Sequence, residues 1–158
     1  MQQQPPTANL QAAYGNQAIL TASPSAQIVK LYEGAIMNLR KAVRCIDEGD
    51  IEGRWRANRK AFDIIEHLRL VLNIEKGGEI ASNLDQLYGH MMLRLFDVDV
   101  KNDRAAAEEV IMLLEPLHKS WCELDRRLAS NASSKTEQSN EGSTDTGKAV
   151  SGGLVATA

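Results

Sequence analysis

Aromatic side chains are scarce in this chain, only 4% of 158 residues. Leucine, isoleucine, valine, alanine and methionine must therefore fill most of any core. Cysteine is scarcer still. Cys45 and Cys122 each stand alone within a helical pattern, which is no disulfide framework and points to a reducing compartment. There is no excess of positive charge. The formal net charge is -3, so the whole molecule lacks long-range attraction for nucleic acid or anionic membrane. No uninterrupted apolar run approaches the ~18 residues that a membrane span needs. The start, Met1-Gln-Gln-Gln-Pro-Pro, has neither a basic residue nor an apolar stretch, so no signal peptide is expected. Together these absences lead to the expectation of a soluble, cytoplasmic protein.

What is present is helical periodicity. Residues 1–23 carry no charged side chain and read as a flexible N-terminal arm, with Tyr14, Ile19 and Leu20 as apolar anchors that let it dock. Ser23-Pro24 then reads as a helix start, because serine caps an orphan amide and proline suits the first helical position. Ile28, Leu31, Tyr32, Ala35, Ile36, Leu39, Val43 and Ile46 recur at three and four, the mark of one apolar face. Gly49 is the expected left-handed end, and Asp50 the cap of a second helix faced by Ala57, Ala61, Ile64, Ile65, Leu68, Val71 and Leu72. Gly77-Gly78 breaks the chain. A third helix presents Ile80, Leu84, Leu87, Tyr88, Met91, Leu95 and Val98. After Asn102-Asp103, a fourth presents Val110, Leu113, Leu114, Leu117 and Trp121, with Pro116 expected to kink it. The helices fall at about 24–48, 51–73, 79–101 and 103–129, forming a bundle over 24–129.

Short links between long helices make antiparallel neighbours, so the expected fold is all-α, an up-down four-helix bundle. Residues 130–158 are rich in Ser, Thr, Gly and Ala and cannot bury enough apolar surface to offset ordering entropy. They are predicted to be a disordered tail.

No catalytic arrangement emerges. His67, His90 and His118 fall on three different helices, without a nucleophile or carboxylate at a suggestive spacing. His118 and Cys122 are four apart, and Cys45 can approach from the first helix, but no CxxC or HxxxH pair supports a metal. Gly77-Gly78 lacks the lysine pattern of a phosphate loop. The chain is therefore predicted to be no enzyme and to need no cofactor. The cluster Arg54-Trp55-Arg56-Ala57-Asn58-Arg59-Lys60 can grip phosphate and stack a base. It also fits a solvated helix start with Trp55 packed at its base, or a protein-binding patch. Met37, Met92, Leu93, Phe96, Ile111 and Met112 widen the apolar faces beyond one stripe. Periodicity alone leaves three readings open: a wide core, a dimer face, or an adaptable groove for a partner.

Several blocks in order resemble one family. They are Thr21-Ala22-Ser23-Pro24 with Leu31-Tyr32-Glu33-Gly34-Ala35, then Gly77-Gly78-Glu79-Ile80-Ala81-Ser82-Asn83-Leu84 with Leu87-Tyr88 and Met91. Arg94-Leu95, Asp103, Glu108-Glu109-Val110, Leu113-Leu114 and Trp121 follow. Over about 110 residues the chain is similar to the flagellar export chaperones that hold flagellin before secretion, the FliS family. It departs from the family pattern at Lys30, at Val98-Asp99 and at Pro116.

The resemblance implies a non-enzymatic helical bundle that binds the disordered C-terminal segment of flagellin in the cytoplasm. It implies that this prevents premature polymerisation and assists delivery to the flagellar type III export apparatus. The export gate is a further implied partner; nucleic acid and membrane insertion are not. The state implied is a monomer or weak homodimer. The partner-binding residues it points to are Tyr14, Ile19, Leu31, Tyr32, Ala81, Asn83, Leu84, Leu87, Tyr88, Met91 and Arg94. Tyr14 matches an arm aromatic that can lie over the groove as a gate. Readings from other classes are a nucleic-acid-binding bundle using Arg54 to Lys60, and a self-associating structural bundle.

Overall fold

The computed structural model describes residues 22–141, and side chains as far as residue 135. Four helices follow in order: α1 (Pro24–Glu48), α2 (Ile51–Leu70), α3 (Ile74–Lys101) and α4 (Arg104–Glu141). No strand occurs among the described residues. By its contacts the chain divides into two units, one up to Asp125 and one from Arg126 onward.

The helix ends follow local chemistry. Ser23 Oγ accepts from Ala26 N at 3.2 Å, and Pro24 takes the first helical position. Gly49 ends α1 in the left-handed region at φ 72°, which glycine enters without steric cost. Asp50 caps α2, accepting from Gly53 N at 2.8 Å. Asp103 caps α4, accepting from Ala106 N at 3.0 Å.

Three ends differ from the sequence expectation. Helix α2 stops at Leu70 rather than 73. Helix α3 begins at Ile74 rather than 79, because Asn73 caps it by accepting from Lys76 N at 2.9 Å. The glycine break survives inside the helix: Gly78 has φ 53° and ψ -131°, a conformation open in practice only to glycine. Helix α4 runs through Pro116 and on to Glu141, not to 129. In its last stretch Ser130, Ser133 and Ser134 donate to the carbonyls of Arg126, Ala129 and Ser130. Residues 131–135 are exposed, so helix-compatible Ala, Lys, Glu and Gln rather than packing extend this stretch.

In the first unit the pairs between helices run in opposite sequence order. From α1 to α4, Ser25 meets Asp125, Arg40 meets Glu115 and Asp47 meets Arg104. From α2 to α3, Arg54 meets Asp99, Asn58 meets Leu95 and Arg69 meets Asp85. Helices paired in this way lie antiparallel. Tyr32 and Leu39 of α1, Ile64 and Ile65 of α2, Met91 and Leu95 of α3, and Val110 and Leu114 of α4 meet in one core. Burying such a side chain contributes about 1.5–3 kcal/mol.

Candidate functional site

The bundle opens where α2 hands over to α3. Links between helices are usually polar, yet here the sequence reads Leu70-Val71-Leu72-Asn73-Ile74. The Gly78 break turns the first turn of α3 away from the axis of the rest. Leu68, Val71 and Leu72 on one side, and Lys76, Gly77, Ile80, Ala81 and Leu84 on the other, enclose a cleft of about 370 Å³. Ile28 of α1 and Trp121 of α4 complete the walls, with Tyr88 deepest. The rim continues as open apolar surface. Leu70 is 73% exposed, Ile80 74%, and Val71 and Ile74 about half. Apolar surface concentrated around a concavity marks a binding site for an apolar partner.

Tyr88 hydrogen-bonds Tyr32 through the two hydroxyls. Burial pushes both tyrosines above the ordinary value of 10.0. The folded state therefore holds these protons more tightly than the unfolded chain does. Their contribution to stability is complete below the ordinary tyrosine value and is lost as pH rises beyond it. In an alkaline titration, absorbance at 295 nm should show these two tyrosines ionising only together with loss of helical circular dichroism. Ionisation of both ahead of unfolding would contradict their burial.

The residues singled out by sequence separate into groups. Ala81, Leu84 and Tyr88 come together in the cleft. Leu31 and Leu87 are half-buried and pack on the core. Tyr32 and Met91 are fully enclosed, so their side chains are core rather than accessible surface. Asn83 is exposed and lines no part of the cleft. Arg94 lies away from it, paired with Glu109 at 2.8 Å, Asp97 at 2.7 Å and Asp103 at 3.7 Å. Tyr14 and Ile19 lie outside the described residues. Sequence reasoning did not single out Leu68, Val71, Leu72 and Ile80 as a site. The apolar run across the α2–α3 link is the signal that could have found them.

The basic cluster does not form one cationic surface. Arg54 is buried, donating to the Asn102 side-chain oxygen and to the Asp99 carbonyl. Asn58 is buried too and donates to the Leu95 carbonyl at 2.8 Å. Arg56 and Arg59 are paired with Glu52 and Asp63. His118 Nε2 lies 3.3 Å from Cys122 Sγ and 3.6 Å from Glu33, and among the described residues no three metal-ligating side chains gather. No helix of the described residues is long and apolar enough to cross a membrane.

Comparison with known proteins agrees with this geometry. Residues 7–128 match the family described as flagellar protein FliS. The flagellar secretion chaperone FliS of Salmonella typhimurium is 40% identical over 105 residues, 66% of this chain and 78% of that protein. The FliS of Vibrio cholerae is 36% identical over 100 residues, covering 63% and 74%. That of Bacillus subtilis is 28% identical over 113 residues, covering 72% and 84%. These relatives are named as chaperones and not as enzymes, which points away from catalysis. The match over residues 7–128, more than half of the chain, establishes that this chain belongs to the flagellar protein FliS family.

Proposed function

We propose that this chain is a cytoplasmic export chaperone for flagellin. It binds the disordered C-terminal segment of flagellin, keeps it from polymerising and assists its delivery to the flagellar type III export apparatus. The observation that carries this reading is the apolar cleft of the α2–α3 link with its exposed rim. A segment that becomes an amphipathic helix only in the filament needs such a surface to cover its apolar stripe. Ordering the segment costs several kcal/mol, so the rim beyond the cleft is needed as contact area. Ala81 and Leu84 are the contacts among the sequence-selected residues, joined by Val71 and Ile80. Tyr14 and Ile19 of the arm would meet the same surface. The nucleic-acid reading loses its anchor, because Arg54 is spent inside the protein.

The test is calorimetric titration of the full chain with a C-terminal flagellin peptide of ~40 residues, beside a scrambled control. One-to-one binding with a negative heat-capacity change is expected. Ile80→Asp should weaken it by about 30-fold, since a carboxylate would be desolvated in the contact. No heat at several temperatures from folded protein would overturn the proposal, and concentration-dependent dimerisation would then favour self-association.

A further inference from the structure

The cleft is apolar except along one edge, the first turn of α3, where Asn73 and Lys76 stand in the wall. Asn73 uses its side-chain oxygen to accept from the Lys76 backbone N–H at 2.9 Å. That bond fixes the carboxamide, and its NH2 has no protein partner among the described residues. Lys76 is exposed. Its ammonium pairs with no carboxylate among the described residues, neighbouring Glu75 and Glu79 included. Arg69, the cation at the end of α2, is by contrast held by Asp85 at 2.7 Å.

The free polar groups of this edge are therefore both donors, and one is a cation. No carboxylate lines the cleft. A lysine rooted in an apolar wall lays its stem along hydrocarbon and keeps its charge at the water edge. An occupant that suits this edge brings acceptors and negative charge at the border of its apolar residues. The C-terminal end of a helix has both. Its last four carbonyls lack partners within the helix, and its dipole favours a cation there. When the helix is also the end of a chain, a main-chain carboxylate is added, whatever the side chains are. An acidic side chain in the middle of a helix offers charge alone.

We infer that the cleft receives the extreme C-terminus of the client, with Lys76 paired to the terminal carboxylate and Asn73 donating to a free carbonyl of the last turn. The inference rests on the chaperone reading and deepens it. It fixes the direction of the bound segment. The last apolar side chains enter between Leu72, Ile80 and Leu84, and the preceding turns cross the exposed rim. Capture of a terminal carboxylate beside apolar pockets is a recurring mode of peptide recognition.

The test is calorimetric titration of the full chain with the C-terminal flagellin peptide as free acid and as C-terminal amide. Amidation removes the charge at nearly constant shape. The amide should bind wild-type protein about fivefold more weakly, the upper range for a pair at a solvated rim. Lys76→Met keeps the apolar stem, and should bind acid and amide equally, both at the amide's affinity. Lys76→Arg keeps the charge and should restore the preference for the acid. Equal affinity of acid and amide for the wild-type chain would overturn the inference and leave the chaperone reading intact. So would a Lys76→Met loss of equal size for both peptides, which assigns Lys76 to an acidic side chain of the segment. A wild-type chain that binds neither peptide would remove both. The comparison of the two peptides on wild-type protein decides the point without any variant.

Discussion

Arg54→Ala is expected to lower the stability of the bundle by about 3 kcal/mol, in the range found when one partner of a buried ion pair is removed. Arg54 is only 8% exposed, and its guanidinium ties the start of α2 to the end of α3. It donates to the Asn102 side chain and the Asp99 carbonyl, and its Nε lies 3.8 Å from the Asp99 carboxylate. Truncation leaves that carboxylate without its cation, and Asn102 without the donor that steadies its left-handed turn at φ 54°. By contrast, Arg56→Ala and Arg59→Ala should each cost under about 0.5 kcal/mol, because their pairs with Glu52 and Asp63 are solvent-exposed. The loss at Arg54 corresponds to roughly 12 °C in melting temperature for a domain of this size. Three similar melts for the three variants would refute the assignment.

The second large effect falls on adjacent positions of α3. Leu95→Ala should cost about 3 kcal/mol. Leu95 is fully enclosed between helices, and deleting its methyl groups opens a cavity in a core that closes only in part. Leu93→Ala and Phe96→Ala should change stability by less than about 0.5 kcal/mol, since these side chains are 70% and 63% exposed. Urea denaturation of the three variants reads the difference directly. A large loss at Leu93 or Phe96 would mean that this outer face is covered in solution, as a self-associating bundle requires.

These contrasts show where the sequence was readable. Ser23-Pro24, Gly49, Asp50 and Asp103 act within one turn of themselves, so their roles as caps and stops follow from residue type alone. The three-and-four spacing that marked Leu39, Ile64, Leu95 and Val110 as core is equally local. The basic run at 54–60 was harder. Composition shows four cations and one aromatic close together, but only the third dimension shows that Arg54 points inward while Arg56 and Arg59 point out. Met91, fully enclosed here, shows a related difficulty. Apolar positions on a bundle helix look alike in sequence, and whether one meets the core or a partner depends on the angle at which a neighbouring helix crosses. The end of α4 was missed because tail composition argues against packing, whereas this stretch needs only its own hydrogen bonds.

The clamp at the start of α1 has a topological consequence. Ser23 and Ser25 both donate to Asp125, so the chain enters and leaves its first unit at the same pole. Ile28 and Trp121, one helical turn in from that clamp on either side, are walls of the cleft. Between Ser23 and Asp125 the first unit is thus close to a closed ring, which could be joined at that clamp and opened elsewhere. Ser23 and Asp125 stand beside the end of the bundle at which the cleft opens. A peptide grafted at that clamp would start near the cleft, and a reporter label is better placed at the opposite pole, near Gly49 and Asn102.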